Sequence, residues 1–436
     1  MEQYNEMKNS GLEWIGLIPK HWSVLRMKNI FQNVSEKNHP DAEVLSLYRE
    51  LGVLPKNSRD DNHNVTSEDT TNYKFVRVND LVINKMKAWQ GSLAVSGYEG
   101  IVSPAYYVCR FKSKDVSERY YHYLLRSKKY AQEFERLSTG MRVGQWDLGI
   151  DDFMRVPALI PPVNEQVGIA AYLDEKCASI DAIVEETKHN IDEHKQWKLA
   201  IINETVTKGI EQHTDLKEAN LEWISKIPRN WDVYRLKSLF SFGKGLPITK
   251  DNLTEDGIPV ISYGQIHAKF NTGTSITDDL IRYVPESYLS SNPDSLVNMG
   301  DILVADTSED IDGCGNSVYV DRDMQLFAGY HTIILKSLRA EDNKYLAYLF
   351  KAPSWRSQIR TRVSGVKLFS ISKKILNIVT VILPPEEEQR RIVHYLDEKC
   401  RIIDNIIAEK EKLIEDLELY KKSLIFETVT GKRKVV

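Results

Sequence analysis

Two long segments of the chain carry apolar residues at helical spacing. After Pro161-Pro162, and again after Pro384-Pro385, apolar residues recur mostly three, four or seven positions apart, with charged residues between them. This pattern is typical of a coiled-coil helix. Proline is excluded from helix interiors and glycine often ends a helix, so we expect each helix to begin after its proline pair and to stop at Gly209 or Gly431. A helix of about 40 residues would be roughly 60 Å long.

The sequence is also duplicated in two blocks. Residues 12–31 (LEWIGLIPKHWSVLRMKNIF) match residues 221–240 (LEWISKIPRNWDVYRLKSLF) at an offset of 209. Residues 161–177 (PPVNEQVGIAAYLDEKC) match residues 384–400 (PPEEEQRRIVHYLDEKC) at an offset of 223, and this match reaches a Glu-Thr-Val-Thr sequence near both helix ends. The offset grows from 209 to 223, so the second copy has 14 more residues between its blocks. Because similarity between the blocks is low, we expect a constant frame that holds two divergent inserts.

The duplication predicts an α/β (α+β) fold with a pseudo-two-fold internal repeat. We expect two globular domains separated by two long helices that pair as an antiparallel coiled coil, because neither helix can bury its apolar stripe alone. The expected segments are 1–160 (first block and domain), 161–210 (central helix), 211–383 (second block and domain) and 384–436 (C-terminal helix). The residues predicted to pair the helices are Ile169, Leu173, Ile180, Val184, Ile392, Leu396, Ile403 and Ile407.

The charge of the chain is unevenly distributed. The net charge is −4, with 42% hydrophobic and 28% charged residues. Residues 71–150 contain 13 lysines and arginines against seven acidic residues, and residues 341–377 contain eight against two. The predicted helix 164–205 has four lysines against nine acidic residues. Basic regions interspersed with aromatic residues favour contact with phosphates and bases, so the small net charge does not exclude nucleic-acid binding.

The chain lacks the signals of a membrane, secreted or zinc-binding protein. It has no apolar run of about 18 residues, and its polar, acidic first residues do not resemble a signal peptide. We therefore expect a cytoplasmic protein without a membrane partner. The four cysteines are far apart and form no Cys-x-x-Cys pair, which argues against a zinc site or a disulfide framework. Cys177 and Cys400 fall on the helical stripes, and we expect both in the core.

Three short segments combine cations, amides and aromatic rings. They are Asn84–Gln90, the glycine-rich residues 140–146, and Arg356–Lys367. Arginine and lysine can bond to guanine, glutamine and asparagine can bond to adenine, and glycine permits close backbone approach. A solvated cation or a core tryptophan is the commoner role for such residues taken one at a time. The predicted DNA contacts are Lys85, Lys87, Trp89, Gln90, Arg142, Gln145, Lys244, Arg356, Arg360, Arg362 and Lys367.

No catalytic, cofactor or metal motif is evident in the sequence. It contains no GxxxxGK[ST], HExxH or GxSxG, and no GxGxxG follows a strand. The proline pairs lack the Asp/Asn-Pro-Pro-aromatic signature of an amino-methyltransferase loop. The acidic segment 306–312 (DTSEDID) lacks EF-hand spacing, so we expect a solvated loop or one that faces a partner subunit.

The duplicated motifs resemble a known family. Trp-Ile-x-x-Ile-Pro-x-x-Trp, Pro-Pro-x-x-Glu-Gln-x-x-Ile-x-x-Tyr-Leu-Asp and Glu-Thr-Val-Thr, each present twice, are similar to motifs of the specificity subunits of type I restriction-modification systems. This resemblance covers essentially the whole chain. Residues 84–107 also resemble a recurring type of target-recognition domain.

The resemblance implies a DNA-selecting subunit without catalysis of its own. Each target-recognition domain would read one half of a bipartite, asymmetric site on double-stranded DNA. The paired helices would set the gap between the halves, about one helical turn between half-site centres (~34 Å), and dock two modification subunits. S-adenosylmethionine would bind to those subunits, which methylate adenine N6. ATP and Mg would act in restriction subunits.

Three other interpretations stay open at the level of sequence. The long helices could form a dimerisation stalk. The chain could be a non-catalytic coiled-coil scaffold whose two inserts bind proteins. It could also be an enzyme, such as a fused methyltransferase or nuclease, with a catalytic cluster that has no recognisable motif. Sequence-specific DNA retention, and binding of S-adenosylmethionine or metal by the isolated chain, distinguish these interpretations.

Overall fold

The chain folds as two compact units. The computed structural model describes residues 4–58, 69–140, 146–211, 215–339, 343–365 and 367–435. Unit 1 comprises Met1–Lys188 together with Glu411–Val436, and unit 2 comprises His189–Lys410. Each unit therefore contains one insert, the beginning of one long helix and the end of the other.

Unit 1 is built from short strands around a four-stranded antiparallel sheet. Its strands are β1 (Met7–Asn9), β2 (Leu17–Pro19), β3 (Ser23–Arg26), β4 (Phe31–Val34), β5 (Leu45–Tyr48), β6 (Gly52–Pro55), β7 (Lys74–Val76), β8 (Leu81–Asn84), β9 (Leu93–Val95), β10 (Gly100–Val102), β11 (Tyr106–Phe111) and β12 (Pro157–Ile160). The sheet has the order β4-β11-β8-β9. The buried Asp80, just before β8, accepts hydrogen bonds from the Arg77 backbone and the Arg110 guanidinium, which fixes β8 against β11.

The helices of unit 1 pack on this sheet. They are α1 (Met27–Ile30), α2 (Glu118–Arg126), α3 (Lys128–Leu137), α4 (Ile150–Arg155) and the start of α5 (Val163–Lys208), with 3-10 turns at Lys56–Ser58 and Ala88–Gln90. Ser117 caps α2 by accepting the Tyr120 backbone N–H. Large aromatic side chains, among them Trp22, Phe31 and Phe134, are fully buried in the core, together with aliphatic residues of the sheet and of α5.

Unit 2 repeats the central sheet of unit 1 and adds a second one. Its strands are β13 (Leu216–Leu221), β14 (Ile224–Pro228), β15 (Asp232–Arg235), β16 (Phe240–Lys244), β17 (Ile258–Ile261), β18 (Arg282–Val284), β19 (Leu296–Val297), β20 (Ile302–Ala305), β21 (Thr307–Ser308), β22 (Ser317–Tyr319), β23 (Leu326–Ala328), β24 (Thr332–Ser337), β25 (Phe369–Ser370) and β26 (Thr380–Leu383). The order β16-β24-β20-β22 corresponds strand by strand to the sheet of unit 1, and a further sheet has the order β18-β17-β23-β19.

The helices of unit 2 include the start of the second long helix. They are α6 (Tyr263–Ile266), α7 (Tyr288–Ser291), α8 (Lys344–Lys351), α9 (Pro353–Arg360), α10 (Lys373–Ile378) and α11 (Glu386–Val429). Short 3-10 turns lie at Leu236–Ser238, Lys250–Asn252, Asp278–Leu280 and Pro293–Ser295. Both long helices begin after their proline pair and stop at a glycine with positive φ, 81° at Gly209 and 69° at Gly431.

The long helices run antiparallel within each unit. In unit 2, Lys198 pairs with Asp404 and Glu211 pairs with Arg391. Residue numbers therefore increase along the first segment while they decrease along its partner, as antiparallel segments require. In unit 1, Asp181 pairs with Lys421, and Tyr172 bonds to Arg433 beyond the end of α11. The predicted α/β fold, with its internal repeat and antiparallel long helices, is confirmed. No helix in the described part of the chain has the length and apolarity that crossing a membrane requires.

Candidate nucleic-acid interface and its supporting frame

The repeated sequence motifs contact one another inside each unit. In unit 1 the buried Trp22 indole donates its Nε1–H to the Glu165 carboxylate at 2.9 Å. In unit 2 Trp231 donates to Glu388 at 3.0 Å. Each Trp-Pro block is therefore fastened to the first turn of the long helix that begins in its own unit.

Glu165 makes this contact as a carboxylate. His21 Nε2 lies 2.6 Å from Oε1, and the Tyr4 hydroxyl donates to Oε2 at 2.9 Å. Partial burial raises the pKa of the Glu165 carboxyl, but the hydrogen bonds from Trp22, His21 and Tyr4 lower it, and the resulting pKa lies below its usual value. A negative charge here also suits the positive end of the helix dipole.

Buried tyrosines hold the ends of the long helices. In unit 1 the Tyr120 hydroxyl donates to the Val429 carbonyl at 3.1 Å. In unit 2 the Tyr345 hydroxyl donates to the Val206 carbonyl at 3.0 Å. Since Val206 and Val429 are equivalent in the repeat, each globular domain contacts the beginning of one long helix and the end of the other through the same chemistry.

The ion pairs between the long helices repeat as well. Asp181 pairs with Lys421 at 2.6 Å in unit 1, and Lys198 pairs with Asp404 at 2.7 Å in unit 2. At the repeat offset of 223, Asp181 corresponds to Asp404 and Lys198 to Lys421. The same pair therefore occurs once in each unit, with the two helices exchanging roles.

The structure buries nearly all of the residues predicted to pair the helices. Ile169, Leu173, Ile180 and Val184 lie in the core of unit 1, where they pack with domain residues as well as with α11. In unit 2, Ile392, Leu396 and Ile403 are buried and Ile407 is half-buried. Cys177 and Cys400 are buried and free. A docking role for these positions stays a prediction.

Four predicted contact residues lie at one end of the sheet of unit 1. We call this the loop end, where β4 and β8 finish and β9 and β11 begin. The turn between β8 and β9 presents an exposed Lys87, and Lys85 lies 3.5 Å from the Asp147 carboxylate. The Trp89 indole donates to the Met86 carbonyl, and Gln90 accepts a hydrogen bond from Arg49. Arg142 and Gln145 lie outside the described residues.

Sequence spacing missed further lysines that converge at this loop end. The Lys74 ammonium donates to the Tyr106 carbonyl at 2.6 Å and lies 5.5 Å from the centre of the Tyr107 ring. Burial lowers the pKa of Lys74, and the nearby positive charges of Lys37 and Lys85 lower it further. These lysines come from three separate segments, so no local sequence pattern could have grouped them. Together they concentrate positive charge beside the half-buried Tyr106 and Tyr107.

In unit 2 the acidic loop occupies the corresponding position. It connects β20 to β22, as the Lys85–Ser92 turn connects β8 to β9. Glu309, Asp310 and Asp312 are exposed. Among the described residues, no three His, Cys, Asp or Glu side chains are grouped as metal ligands. The two units therefore place side chains of opposite charge at equivalent positions of their central sheets.

The predicted arginines of unit 2 hold this acidic loop. Arg356 donates to the carbonyls of Asp312 and Cys314 and to the Asn316 side chain. Burial, with the charge of Arg360, lowers the pKa of Arg356 to about 10. Arg360 donates to the Asp312 carbonyl at 2.7 Å.

Arg362 and the remaining lysines differ in their surroundings. Arg362 pairs with Glu222 at 2.5 Å, and Lys367 is exposed. Lys244, exposed at the end of β16, lines a groove of about 540 Å³. A Cβ on the adjacent Gly245 would lie 1.9 Å from the Gly329 carbonyl, so this close approach of two chain segments requires glycine. DNA contact by the arginines and by both lysines stays a prediction.

Comparisons with known proteins agree on one family. A sequence profile described as the type I restriction modification DNA specificity domain matches residues 19–193 and 228–418. The MjaVIII type I restriction enzyme specificity subunit of Methanocaldococcus jannaschii is 25% identical over 428 residues, covering 96% of this chain and 94% of the relative. The EcoKI specificity subunit of Escherichia coli K12 is 21% identical over 212 residues, covering 48% of this chain and 44% of that protein.

Solved structures share the fold at low identity. A chain from a study of complex assembly and conformational transition of the type I R-M system aligns with a TM-score of 0.70 at 15% identity, covering 95% of this chain and 99% of that chain. The HsdS subunit from Thermoanaerobacter tengcongensis aligns with a TM-score of 0.53 at 15% identity, covering 95% and 98%.

Proposed function

Because the chain belongs to the type I restriction modification DNA specificity domain family, which it matches twice, we propose that it selects the DNA sequence for a type I restriction-modification complex. Relatives matched over nearly their whole length carry the name specificity subunit. Each unit reads one half of a bipartite site on double-stranded DNA. Because the two units are different, the site is asymmetric.

One observation carries this proposal. The frame residues are the same in both units, whereas the turn at the loop end differs between them. Lys85 and Lys87 lie on the turn of unit 1 whose counterpart in unit 2 is the acidic loop with the exposed Asp310. Lysines approach phosphates and guanine, and carboxylates accept from cytosine N4, so two such loop ends select different bases. Two copies of one interaction module would not need opposite charges there.

In this proposal the long helices set the distance between the two half-sites and bind the partner subunits. Each helix belongs to both units, so its length contributes to the gap between the half-sites. Trp197 and Tyr420 occupy equivalent repeat positions on the two helices, and their side chains are 52% and 48% exposed. An exposed aromatic at the same place in both copies suits a partner that binds twice, such as two modification subunits.

The chemistry of the complex belongs to the partners. In this proposal S-adenosylmethionine binds to the modification subunits, which extrude and methylate adenine. ATP and Mg²⁺ act in restriction subunits. The chain itself supplies sequence choice without a catalytic residue.

Mapping N6-methyladenine tests the proposed function. The full chain is co-expressed with the modification subunit, and methylated sites are mapped with and without the gene for this chain. We expect a bipartite motif with an unread gap that disappears without the chain. Sequence-specific DNA retention by the purified complex should show the same motif. Methylation that does not depend on this chain, or DNA retention without sequence preference, would favour a protein scaffold instead.

The exposed Lys87 gives a prediction for DNA affinity. Replacing Lys87 with alanine should weaken DNA binding, because it removes a positive charge from the loop end of unit 1. If Lys87 contacts a phosphate, the slope of the logarithm of the DNA-binding constant against the logarithm of the salt concentration becomes shallower by about 1, and sequence specificity is unchanged. If it contacts a base, discrimination falls at one position. The measurement is DNA retention over a range of salt concentrations.

Lys114 provides the matched control for this substitution. It is exposed after the other end of β11, away from the loop end. Lys114→Ala should leave both the salt slope and the specificity unchanged. An equal effect of the two substitutions would indicate a general charge effect, and no effect of Lys87→Ala would remove Lys87 from the interface.

A further inference from the structure

An aromatic and histidine cluster lies at the loop end of unit 2. The ring centres of Tyr263 and His331 are 5.3 Å apart, those of Tyr263 and Tyr330 are 5.5 Å apart, and those of Tyr330 and His331 are 6.2 Å apart. The His331 side chain is 56% exposed. The rings come from α6 and from the turn before β24, so the turn that enters the central sheet presents them at the surface. Both tyrosine rings therefore lie edge-on to the imidazole.

His331 also has an unfavourable backbone conformation. Its φ is 54°, in the left-handed region that non-glycine residues rarely adopt. The Asp306 backbone N–H donates to the His331 carbonyl at 3.0 Å, which helps to hold this conformation. An exposed side chain on an unfavourable backbone conformation contributes little to the core. Such conformations are concentrated at sites where function requires a side chain in one direction.

Asp306 orients the imidazole. His331 Nδ1 lies 3.1 Å from the Asp306 carboxylate, which also accepts the Thr307 hydroxyl at 2.8 Å. A carboxylate oxygen accepts hydrogen bonds, so this contact selects the imidazole tautomer that has its proton on Nδ1 and its lone pair on Nε2. Among the described residues Nε2 has no hydrogen-bond partner. The site thus presents one oriented acceptor at the surface.

We propose that His331 is a specificity-determining residue of unit 2, and that Asp306 is its positioning residue. This inference rests on the proposed function and names a reading atom for one half-site. Nε2 accepts a hydrogen bond from the amino group of adenine or cytosine in the major groove. At the same position, guanine O6 or thymine O4 would place an acceptor against an acceptor. His331 therefore distinguishes adenine and cytosine from guanine and thymine on one strand.

His331→Gly tests the inference without loss of the fold. Glycine adopts positive φ without steric cost, so the melting temperature should not fall. In the complex with the modification subunit, preference for adenine or cytosine over guanine or thymine should fall roughly tenfold at one position of one half-site. The other half-site should stay unchanged. The measurement is retention of a DNA library randomised at each position, read by sequencing.

A matched substitution in unit 1 provides the control. Asn79 also has a positive φ, 71°, and lies just before β8, at the end of the sheet away from the loop end. Asn79→Gly should leave both half-sites unchanged. Unaltered specificity in His331→Gly would overturn the proposal, and so would a uniform loss of affinity for every sequence. A lowered melting temperature in His331→Gly would assign the side chain a structural role and would also overturn it.

Variants of Asp306 separate positioning from direct contact. Asp306→Asn keeps an oxygen that accepts from Nδ1 and should retain most of the discrimination. Asp306→Ala should lose it at the same base position as His331→Gly. If Asp306→Ala has no effect, or if the asparagine variant loses as much as the alanine variant, Asp306 does not act through His331. Wild-type complex without sequence-specific retention would instead contradict the proposed function itself.

Discussion

Duplicating one heptad in each long helix should widen the gap in the target sequence by about three base pairs and leave both half-sites unchanged. In α5, a second copy of His189–Lys195 is inserted after Lys188. In α11, a second copy of Asp404–Lys410 is inserted before Glu411. These positions are the boundaries of the two units, so each unit keeps its internal neighbours. Methylation mapping with the co-expressed modification subunit measures the gap directly.

The size of this effect follows from helix geometry. Seven residues add about 10 Å of helix at 1.5 Å each, while the duplex rises 3.4 Å per base pair. Seven residues also correspond to nearly two full turns, so the apolar stripe stays in phase for pairing. Duplicating the native residues keeps the flanking helix contacts that Asp181 and Lys198 make. The bases contacted at each loop end should therefore remain the same.

A control insertion tests whether added length alone matters. Seven glycine and serine residues inserted between the exposed Lys114 and Asp115 of unit 1 lengthen a surface turn and not a helix. This variant should keep the wild-type gap. The proposed geometry is wrong if the helix variant keeps its gap and selects different half-site bases, or if the turn insertion changes the gap as much.

The constant frame could be predicted from sequence because its residues contact one another. Trp22, Glu165 and the glycine at the helix end recur as Trp231, Glu388 and Gly209 since each set forms one packed junction. A buried tryptophan bonded to a carboxylate tolerates few substitutions, so the same residue types occur in both copies of the repeat. The length and termination of the helices followed from the proline pairs and the glycines.

The common topology of the inserts could not be predicted in the same way. Strand order depends on backbone pairing, and any buried apolar residue satisfies a position such as Leu81 or Ile302. One faint signal exists: Asp80 and Asp301 each precede a short apolar strand, and each side chain accepts hydrogen bonds from the backbone, one at Asp80 and two at Asp301. An aspartate followed by a short apolar run, recognised as a repeated motif, would have aligned the strands of the two central sheets.

The contacts at the loop ends depend on residues far apart in sequence. Arg356 was grouped with its neighbours by charge, yet its partners lie about forty residues earlier, on the acidic loop. Lys74 and Lys37 meet Lys85 only through the fold of unit 1. His331 gave no sequence signal, because neither its positive φ nor its approach to Asp306 can be read from composition.

Replacing Trp22 with alanine should destabilise unit 1 by about 3–5 kcal/mol and abolish reading of its half-site. The indole is fully buried, a Cβ on Gly431 would lie only 3.2 Å from it, and its N–H satisfies the Glu165 carboxylate. The substitution leaves a cavity where the Trp-Pro block meets both long helices. Hydrogen exchange resolved by unit is the appropriate measurement, since a chain with two units need not unfold in one step.

Two further variants separate the ring from its hydrogen bond. Trp22→Phe keeps most of the packing and removes one donor from Glu165, which retains His21 and Tyr4, so the cost should be about 1–3 kcal/mol. Trp197→Ala, at a half-exposed site on α5, should change stability by less than about 0.5 kcal/mol.

Because Trp231 makes the equivalent contact in unit 2, Trp231→Ala should move the loss of protection to that unit. Equal loss in both units after Trp22→Ala would show that the junction is not local, and the frame would then act as one cooperative body.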